Sequence, residues 1–273
     1  MKRLSILLGF GLLISCEEIP INIHDVIIEP TEKIVLIEEL TGAKCPNCPK
    51  GTKVVENILH KYPKNVIAVG IHGSFLAEPV RSGDPDLRNE DAKNLENWFK
   101  PWFGKPSASV NRIVENIEYY VNDVPDLWES LVEDELEKPL QLNLFMDVKF
   151  DQNSRKIDIE VAVNPLDDLT GDYNISIYVL ESHIITAQAN GSEIIEEYEH
   201  NHVLRKTVTN FSGDFFGNNL SKNQILKKNY SYILPAEEGK LNIAENSSIV
   251  AFIHKSGSSV RDVIQATSKY LIE

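Results

Sequence analysis

Cys45 and Cys48 are separated by two residues, and their side chains carry the most reactive chemistry that the sequence offers. Two sulfurs at this spacing can exchange a disulfide with another protein, because one attacks and the other resolves the mixed disulfide. The pair could also be a local structural disulfide or part of a metal site. A bridge across so short a loop removes little entropy from the unfolded chain, and zinc would need further ligands. The motif and its context therefore favour redox chemistry.

The residues around the pair predict the elements that position it. An apolar run from Ile34 to Ile37 predicts a strand, a turn follows at Thr41-Gly42, and a helix is expected from Pro46 to Lys61. The unpaired N–H groups and the positive dipole at a helix start favour a thiolate over a thiol. We therefore predict that Cys45 is the nucleophile and Cys48 its resolving partner.

The residues before the middle of the chain alternate between strand and helix patterns. A continuous apolar run, Val66–Ile71, predicts a strand that is buried on both faces. A polar, helix-prone insertion follows at 85–103, then a short β-like run at 105–112 and an amphipathic helix at Val124–Glu137. This alternation predicts an α/β domain at residues 33–138, with a central sheet and a helical insertion.

Beyond Pro139 the pattern changes to short segments of alternating polar and apolar residues. Polar turns separate these segments, and no long helix is predicted. We expect strands near residues 141–150, 156–163, 174–181, 203–210, 228–234, 248–255 and 260–270. About seven such strands predict a β-sandwich of immunoglobulin-like type at residues 139–273. The polar segment Gln188–His202 is predicted to be a loop at one end of this sandwich.

The first 16 residues have the three regions of an export signal. Two basic residues precede an apolar run, Leu4–Ile14, that is too short to span a bilayer. Leu13–Cys16 resembles the lipobox of bacterial lipoproteins, which implies cleavage before Cys16 and attachment of a lipid membrane anchor to its sulfur. The alternative is an ordinary signal peptide with an incidental cysteine. Residues 17–32, with their prolines and charges, are interpreted as a tether.

Lipidation of Cys16 would occupy one of the three cysteines in the sequence. It would leave Cys45 and Cys48 as the one pair available for a disulfide. Disulfides persist in exported compartments, yet the chain has no scattered cysteines to staple its fold. We therefore expect the pair to be present for exchange.

Composition and charge exclude several classes of function. Among the 273 residues, 41 Asp and Glu stand against 27 Lys and Arg, which gives a formal net charge of −14. Such a surface repels phosphate backbones, so nucleic acid is not an expected partner. The sequence contains no G-x-S-x-G, no H-E-x-x-H and no phosphate-binding glycine loop. Serine hydrolase, zincin and nucleotide-binding activities are therefore unsupported, and no cofactor is predicted.

The predicted first domain resembles a thioredoxin fold over Lys33–Glu137. The likeness rests on the strand, the C-x-x-C helix, the buried second strand and the later proline. It implies that Cys45 attacks and that Cys48 resolves. It further implies that Pro106 is a cis-proline that faces the disulfide and presents backbone to an extended substrate.

The same resemblance implies a buried acid beside the cysteines. Glu39, six residues before Cys45, holds the place of the acid that assists proton transfer to the resolving cysteine. Neighbouring Glu38 would take this role if the register of the strand slipped by one residue. The chain departs from thioredoxins at Lys44, where they carry a tryptophan.

The whole chain resembles the outer membrane protein 28-related lipoprotein family of Bacteroidota. The likeness is carried by Glu38–Gly42, which leads into the C-x-x-C-P motif, and by the later segment Glu199–Arg205. It implies a thioredoxin-like domain joined to a C-terminal β-domain, lipid-anchored at the cell outer membrane. Whether the protein faces the periplasm or the cell surface stays open.

Three functions follow as hypotheses. The first is exchange with the thiols or disulfides of exported proteins, after which an unidentified redox partner resets the pair. The second is a non-enzymatic binding or adhesion lipoprotein in which the β-sandwich acts and the thioredoxin-like domain is a scaffold. The third is metal delivery, with His72 near the cysteine pair or with the His200-x-His202 motif placing two imidazoles on one face.

Overall fold

The computed structural model describes residues 31–114, 119–257 and 260–272. The predicted export signal, Cys16 and nearly all of the predicted tether lie outside the described residues. Thr31–Glu273 form one compact unit. In the part of the chain that is described, the helices are too short and too polar to traverse a bilayer.

The described residues form a mostly β structure with few helices. The helices are α1 (Cys48–Lys61), α2 (Glu90–Trp98) and α3 (Trp128–Leu136), and short 3-10 turns occur at Pro125–Leu127 and Ala244–Asn246. The strands are β1 (Val35–Thr41), β2 (Val66–His72), β3 (Ser107–Val110), β4 (Leu142–Asp151), β5 (Lys156–Pro165), β6 (Leu169–Glu181), β7 (Ile184–Asn190), β8 (Glu193–His200), β9 (Val203–Thr207), β10 (Asp214–Leu220), β11 (Leu226–Ile233), β12 (Ser247–Lys255) and β13 (Val263–Tyr270).

A mixed sheet connects the two halves of the chain. Its order is β13, β12, β6, β9, β2, β1, β3, and β10 pairs with the first part of β6. β1 and β2 are parallel, whereas β3 runs antiparallel to β1. β9 joins β2 through a parallel pairing of Gly70 with Val203. Strands from both predicted domains therefore belong to one sheet, and the predicted division at residue 138 falls in the connection between α3 and β4.

A second sheet, in the order β11, β5, β4, shares an apolar core with the large sheet. Ile159 and Val161 of β5 pack in the same cluster as Ile177 of β6 and Ile249 of β12. The second half of the chain thus has two β-layers. An immunoglobulin-like type is not confirmed, because the larger layer continues through β9 into the first half of the chain.

Helices cover both faces of the sheet around β1 and β2. On one face, α1 and α3 pack Val55 and Val132 against Ile37. On the other face, Leu95 of α2 packs near Leu36. Successive residues of a strand point to opposite faces, so a strand covered on both faces is apolar at nearly every position. This explains the continuous apolar runs in the sequence.

A buried ion pair ties β1 to β6. The Arg112 guanidinium donates to the Glu38 carboxylate at 2.7 Å and to the Tyr178 hydroxyl at 2.8 Å, and Arg112 is completely buried. Its guanidinium carbon lies 4.9 Å from the Trp98 ring and 4.7 Å from the Phe252 ring. Removing one member of such a pair costs about 3–5 kcal/mol, because the other charge stays buried and unpaired.

The structure corrects several predicted elements. The predicted loop at Gln188–His202 is wrong, because β7 and β8 form a hairpin there. Its outer residues are exposed and mostly polar, which hid the strand pattern. The predicted insertion at 85–103 contains α2 over nine of its residues. The predicted helix at Val124–Glu137 is divided into a 3-10 turn and α3.

Candidate active site

Gly42 lets the chain turn closely at the end of β1. A Cβ atom there would lie 2.3 Å from the carbonyl oxygen of Leu76 and 2.8 Å from the Cα of Ala77. The N–H of Lys44 donates to the same Leu76 carbonyl at 3.0 Å. These contacts hold the loop that leads into Cys45 against the segment after β2.

Cys45 and Cys48 form a disulfide at the start of α1. Their Cα atoms are 5.3 Å apart, and the N–H of Cys48 points to the carbonyl of Cys45 at 3.3 Å. The helix begins at Cys48, two residues later than predicted, with Pro49 in its first turn. Cys45 is completely buried and Cys48 is 1% exposed. Neither sulfur is therefore open to solvent in this state.

Glu39 lies on the face of β1 that meets α1. Its carboxylate accepts a hydrogen bond from the Thr52 hydroxyl at 3.1 Å. Burial raises the pKa of Glu39 to about 8, against the smaller lowering effect of the Thr52 hydrogen bond. Cys48 and Thr52 are four residues apart on α1, so they share one face of the helix with Glu39 opposite them. An acid that titrates near neutral pH therefore lies beside the helix face that carries Cys48.

The neighbouring acid, Glu38, lies on the opposite face of β1. There it is engaged by Arg112 in the buried ion pair described above. The register of the strand thus separates the two acids, because adjacent residues of a strand point in opposite directions. Of the two acids, Glu39 is the one that the structure brings toward α1.

Pro106 follows a cis peptide bond and precedes β3. It packs closely on the first turns of α1, since a Cβ atom on Gly51 would lie 2.6 Å from the Cβ of Pro106. The preceding residue, Lys105, is buried. Its ammonium donates to the Thr41 carbonyl at 2.8 Å and pairs with Glu96 at 2.5 Å. Pro106 and the cysteine helix are therefore brought together.

The β7–β8 hairpin crosses the loop that carries Cys45. The N–H groups of Ala189 and Gly191 donate to the carbonyls of Ala43 and Pro46 at 2.8 and 2.9 Å. The side-chain amide of Gln188 reaches further in. It donates to the carbonyl of Gly42 at 3.2 Å and to that of Cys45 at 3.0 Å.

The histidines form a buried group at the base of this hairpin. His72, at the end of β2, and His200, at the end of β8, have ring centroids 5.6 Å apart. Burial lowers the pKa of His200 to about 4 and that of His72 well below its ordinary value. A hydrogen bond with the Gly70 backbone acts in the opposite direction on the pKa of His72, but its effect is smaller than that of burial. Both imidazoles are therefore neutral.

His202 has a different position from its neighbour in the motif. Its carbonyl accepts from the N–H of Gly70 at 2.8 Å, which helps to join β9 to β2. Among the described residues, no group of three or more His, Cys, Asp or Glu side chains is arranged to hold a metal ion.

The sequence did not reveal Gln188, Thr52 or Lys105 as members of the site. The hairpin had a usable signal, because Gly191-Ser192 is a two-residue connection typical of tight hairpins. Thr52 could have been found from its spacing of four residues after Cys48 on a predicted helix. Lys105 had no signal beyond its place before Pro106.

Comparison with known proteins gives a family and a fold. A model of the family described as outer membrane protein Omp28 matches residues 92–271, which is more than half of the chain. No curated protein matches. The structure of HBP35 of Porphyromonas gingivalis is similar with a TM-score of 0.70 at 15% identity, over 89% of this chain and 77% of that one.

Two further solved structures show similarity. A protein from Agrobacterium tumefaciens has a TM-score of 0.54 at 12% identity, over 89% of this chain and 97% of that one. A domain of the outer membrane lipoprotein Omp28 from Porphyromonas gingivalis is 21% identical over 50% of this chain and 91% of that one, with a TM-score of 0.35. With a TM-score of 0.54, the protein from Agrobacterium tumefaciens shares the fold of this chain.

Proposed function

This chain belongs to the outer membrane protein Omp28 family, and we propose that it is a lipoprotein, anchored through Cys16, that exchanges disulfides with exported proteins. The matched residues, 92–271, begin after the cysteine motif. Family membership therefore supports the outer-membrane location, whereas the redox proposal rests on the site itself.

The observation that carries the proposal is the Cys45–Cys48 disulfide at the start of α1 beside a buried acid. A disulfide that closes so short a loop adds little to the stability of the fold, so a purely structural role would explain little. Glu39, with a pKa of about 8, can both hold and release a proton near neutral pH. A proton donor and acceptor at that position is what the leaving sulfur of a disulfide exchange requires.

The exchange can be written with its electrons and protons balanced. A substrate thiolate attacks the sulfur of Cys45, the Cys45–Cys48 bond breaks, and its electron pair leaves on Cys48, which takes the proton of Glu39. A second substrate thiolate attacks the substrate sulfur of the mixed disulfide, and Cys45 leaves as a thiolate. The substrate dithiol is oxidised by two electrons, the cysteine pair is reduced, and Glu39 regains a proton from water. The reverse sequence reduces a substrate disulfide.

The arrangement of the elements supports a thioredoxin-like domain at residues 33–138. β1 and β2 are parallel and flank the cysteine helix, β3 is antiparallel to β1, and α1 and α3 pack on the same face. Pro106 precedes β3 and packs against Gly51 of that helix. The resemblance to thioredoxins gives it the role of presenting backbone to the substrate.

Trapping of the mixed disulfide tests this proposal. Cys48→Ala removes the resolving sulfur, so substrates attached to Cys45 should accumulate in cells as adducts that a thiol reductant releases. The matched control is the double variant Cys45→Ala and Cys48→Ala, which cannot form such adducts. Equal band patterns from the two variants on non-reducing gels would contradict the proposal.

One observation favours a second function. Both sulfurs are buried, which is typical of inert structural cysteines. A non-enzymatic binding or adhesion lipoprotein, with its β-layers as the binding surface, fits that observation. It predicts that Cys45→Ser with Cys48→Ser leaves the cellular function intact, and loss of function in this variant would count against it.

A further inference from the structure

The β7–β8 hairpin holds the cysteine loop with two backbone hydrogen bonds. The N–H groups of Ala189 and Gly191 reach the carbonyls of Ala43 and Pro46. Ala189 belongs to β7, whereas Gly191 is the turn residue of the hairpin, with a φ of +60°. The tip of the hairpin is therefore bound to the residues on both sides of Cys45.

The side chain of Gln188 adds to these backbone contacts. Its amide donates to the carbonyls of Gly42 and Cys45. β7 also packs against α1. Exchange needs a thiolate to reach a disulfide sulfur directly, so a fully buried Cys45 cannot be attacked while the hairpin stays in place.

The hairpin does not belong to the large sheet. Among the described strands, β7 and β8 pair only with each other. The hairpin can therefore leave the cysteine loop without breaking the backbone pairing of the large sheet.

We propose that the β7–β8 hairpin gates the cysteine pair, and that exchange at Cys45–Cys48 requires the contacts of Gln188, Ala189 and Gly191 with the cysteine loop to break. The inference rests on the proposed function and adds the means of its control.

The experiment measures how fast a small phosphine or dithiol reduces the disulfide in the full chain. Gln188→Ala removes two hydrogen bonds from the closed hairpin, so reduction should become about tenfold faster or more. The control is Glu197→Gln, an exposed hairpin residue that is not among those described above as bound to the cysteine loop. Equal rates in wild type, Gln188→Ala and Glu197→Gln overturn the gating role. Thermal unfolding of the three proteins checks that Gln188→Ala remains folded.

These outcomes can be separated from failure of the proposed function. The reduction rates use only the purified protein and a small reductant, whereas trapping with Cys48→Ala uses cellular substrates. Faster reduction of Gln188→Ala without cellular adducts supports the gate and contradicts the exchange activity. Cellular adducts with unchanged reduction rates support the activity and contradict the gate.

Discussion

Replacing Glu39 by glutamine should change how the stability of this protein depends on pH. The glutamine has nearly the shape of a protonated carboxyl group but no proton to lose. In the folded protein the pKa of Glu39 is about 8, against 4.5 for an ordinary glutamate, and burial is the main cause. The folded state therefore keeps a proton that the unfolded chain releases.

The sign and the size follow from this difference. Because the folded pKa is raised, the stabilising contribution is complete below about pH 4.5 and is lost as the pH rises toward 8. Each pKa unit corresponds to 1.36 kcal/mol, so the loss amounts to about 4–5 kcal/mol across this window. Glu39→Gln lacks this loss. Relative to wild type it should gain stability steadily from pH 5 to pH 8 and change little above that.

The assay is urea unfolding of the oxidised protein at intervals from pH 5 to pH 9. The quantity to plot is the free energy of unfolding of Glu39→Gln minus that of wild type. Glu90→Gln on α2 is the matched control, because the Glu90 side chain is 71% exposed and should give a nearly flat difference. A flat line for Glu39→Gln as well would refute the assignment of a buried, neutral acid beside α1.

Two further substitutions test the geometry around the cysteine pair. Thr52→Val removes the hydrogen bond that lowers the pKa of Glu39, so the pH window of the same unfolding assay should move to higher pH; an unchanged window would show that Thr52 does not hold the carboxylate. Gly42→Ala places a Cβ atom 2.3 Å from a backbone carbonyl and should lower the free energy of unfolding by about 1–3 kcal/mol. Gly104→Ala, which meets nothing within 4 Å, is its control, and equal stabilities of the two variants would contradict the close approach.

The local elements of the site could be predicted from the sequence. The apolar run before Thr41 and the prolines around Cys48 are short-range signals, so they indicated β1 and α1 directly. The helix start was misplaced by two residues, because Pro46 fits a turn before a helix as well as the helix itself. Which of Glu38 and Glu39 faces α1 depends on the register, and the partner of Glu38 is 74 residues away.

The contacts between the β7–β8 hairpin and the cysteine loop could not be predicted in the same way. They join Ala43 to Ala189 and Cys45 to Gln188, which lie more than a hundred residues apart in the sequence. The pattern of polar residues in β8 follows from its exposed outer face, and such a strand looks like a loop. The pairing of Gly70 with Val203 likewise joins segments that local patterns treat as separate domains.

The reduction potential of the Cys45–Cys48 pair tests the central claim most directly. The full chain is equilibrated in glutathione buffers of defined potential, and free thiols are counted by alkylation. An exchange-active pair should have a potential above about −300 mV, which is the range of labile and catalytic disulfides. A potential below that value, in protein shown to have reached equilibrium, would mark the bridge as structural and contradict the claim that this protein exchanges disulfides.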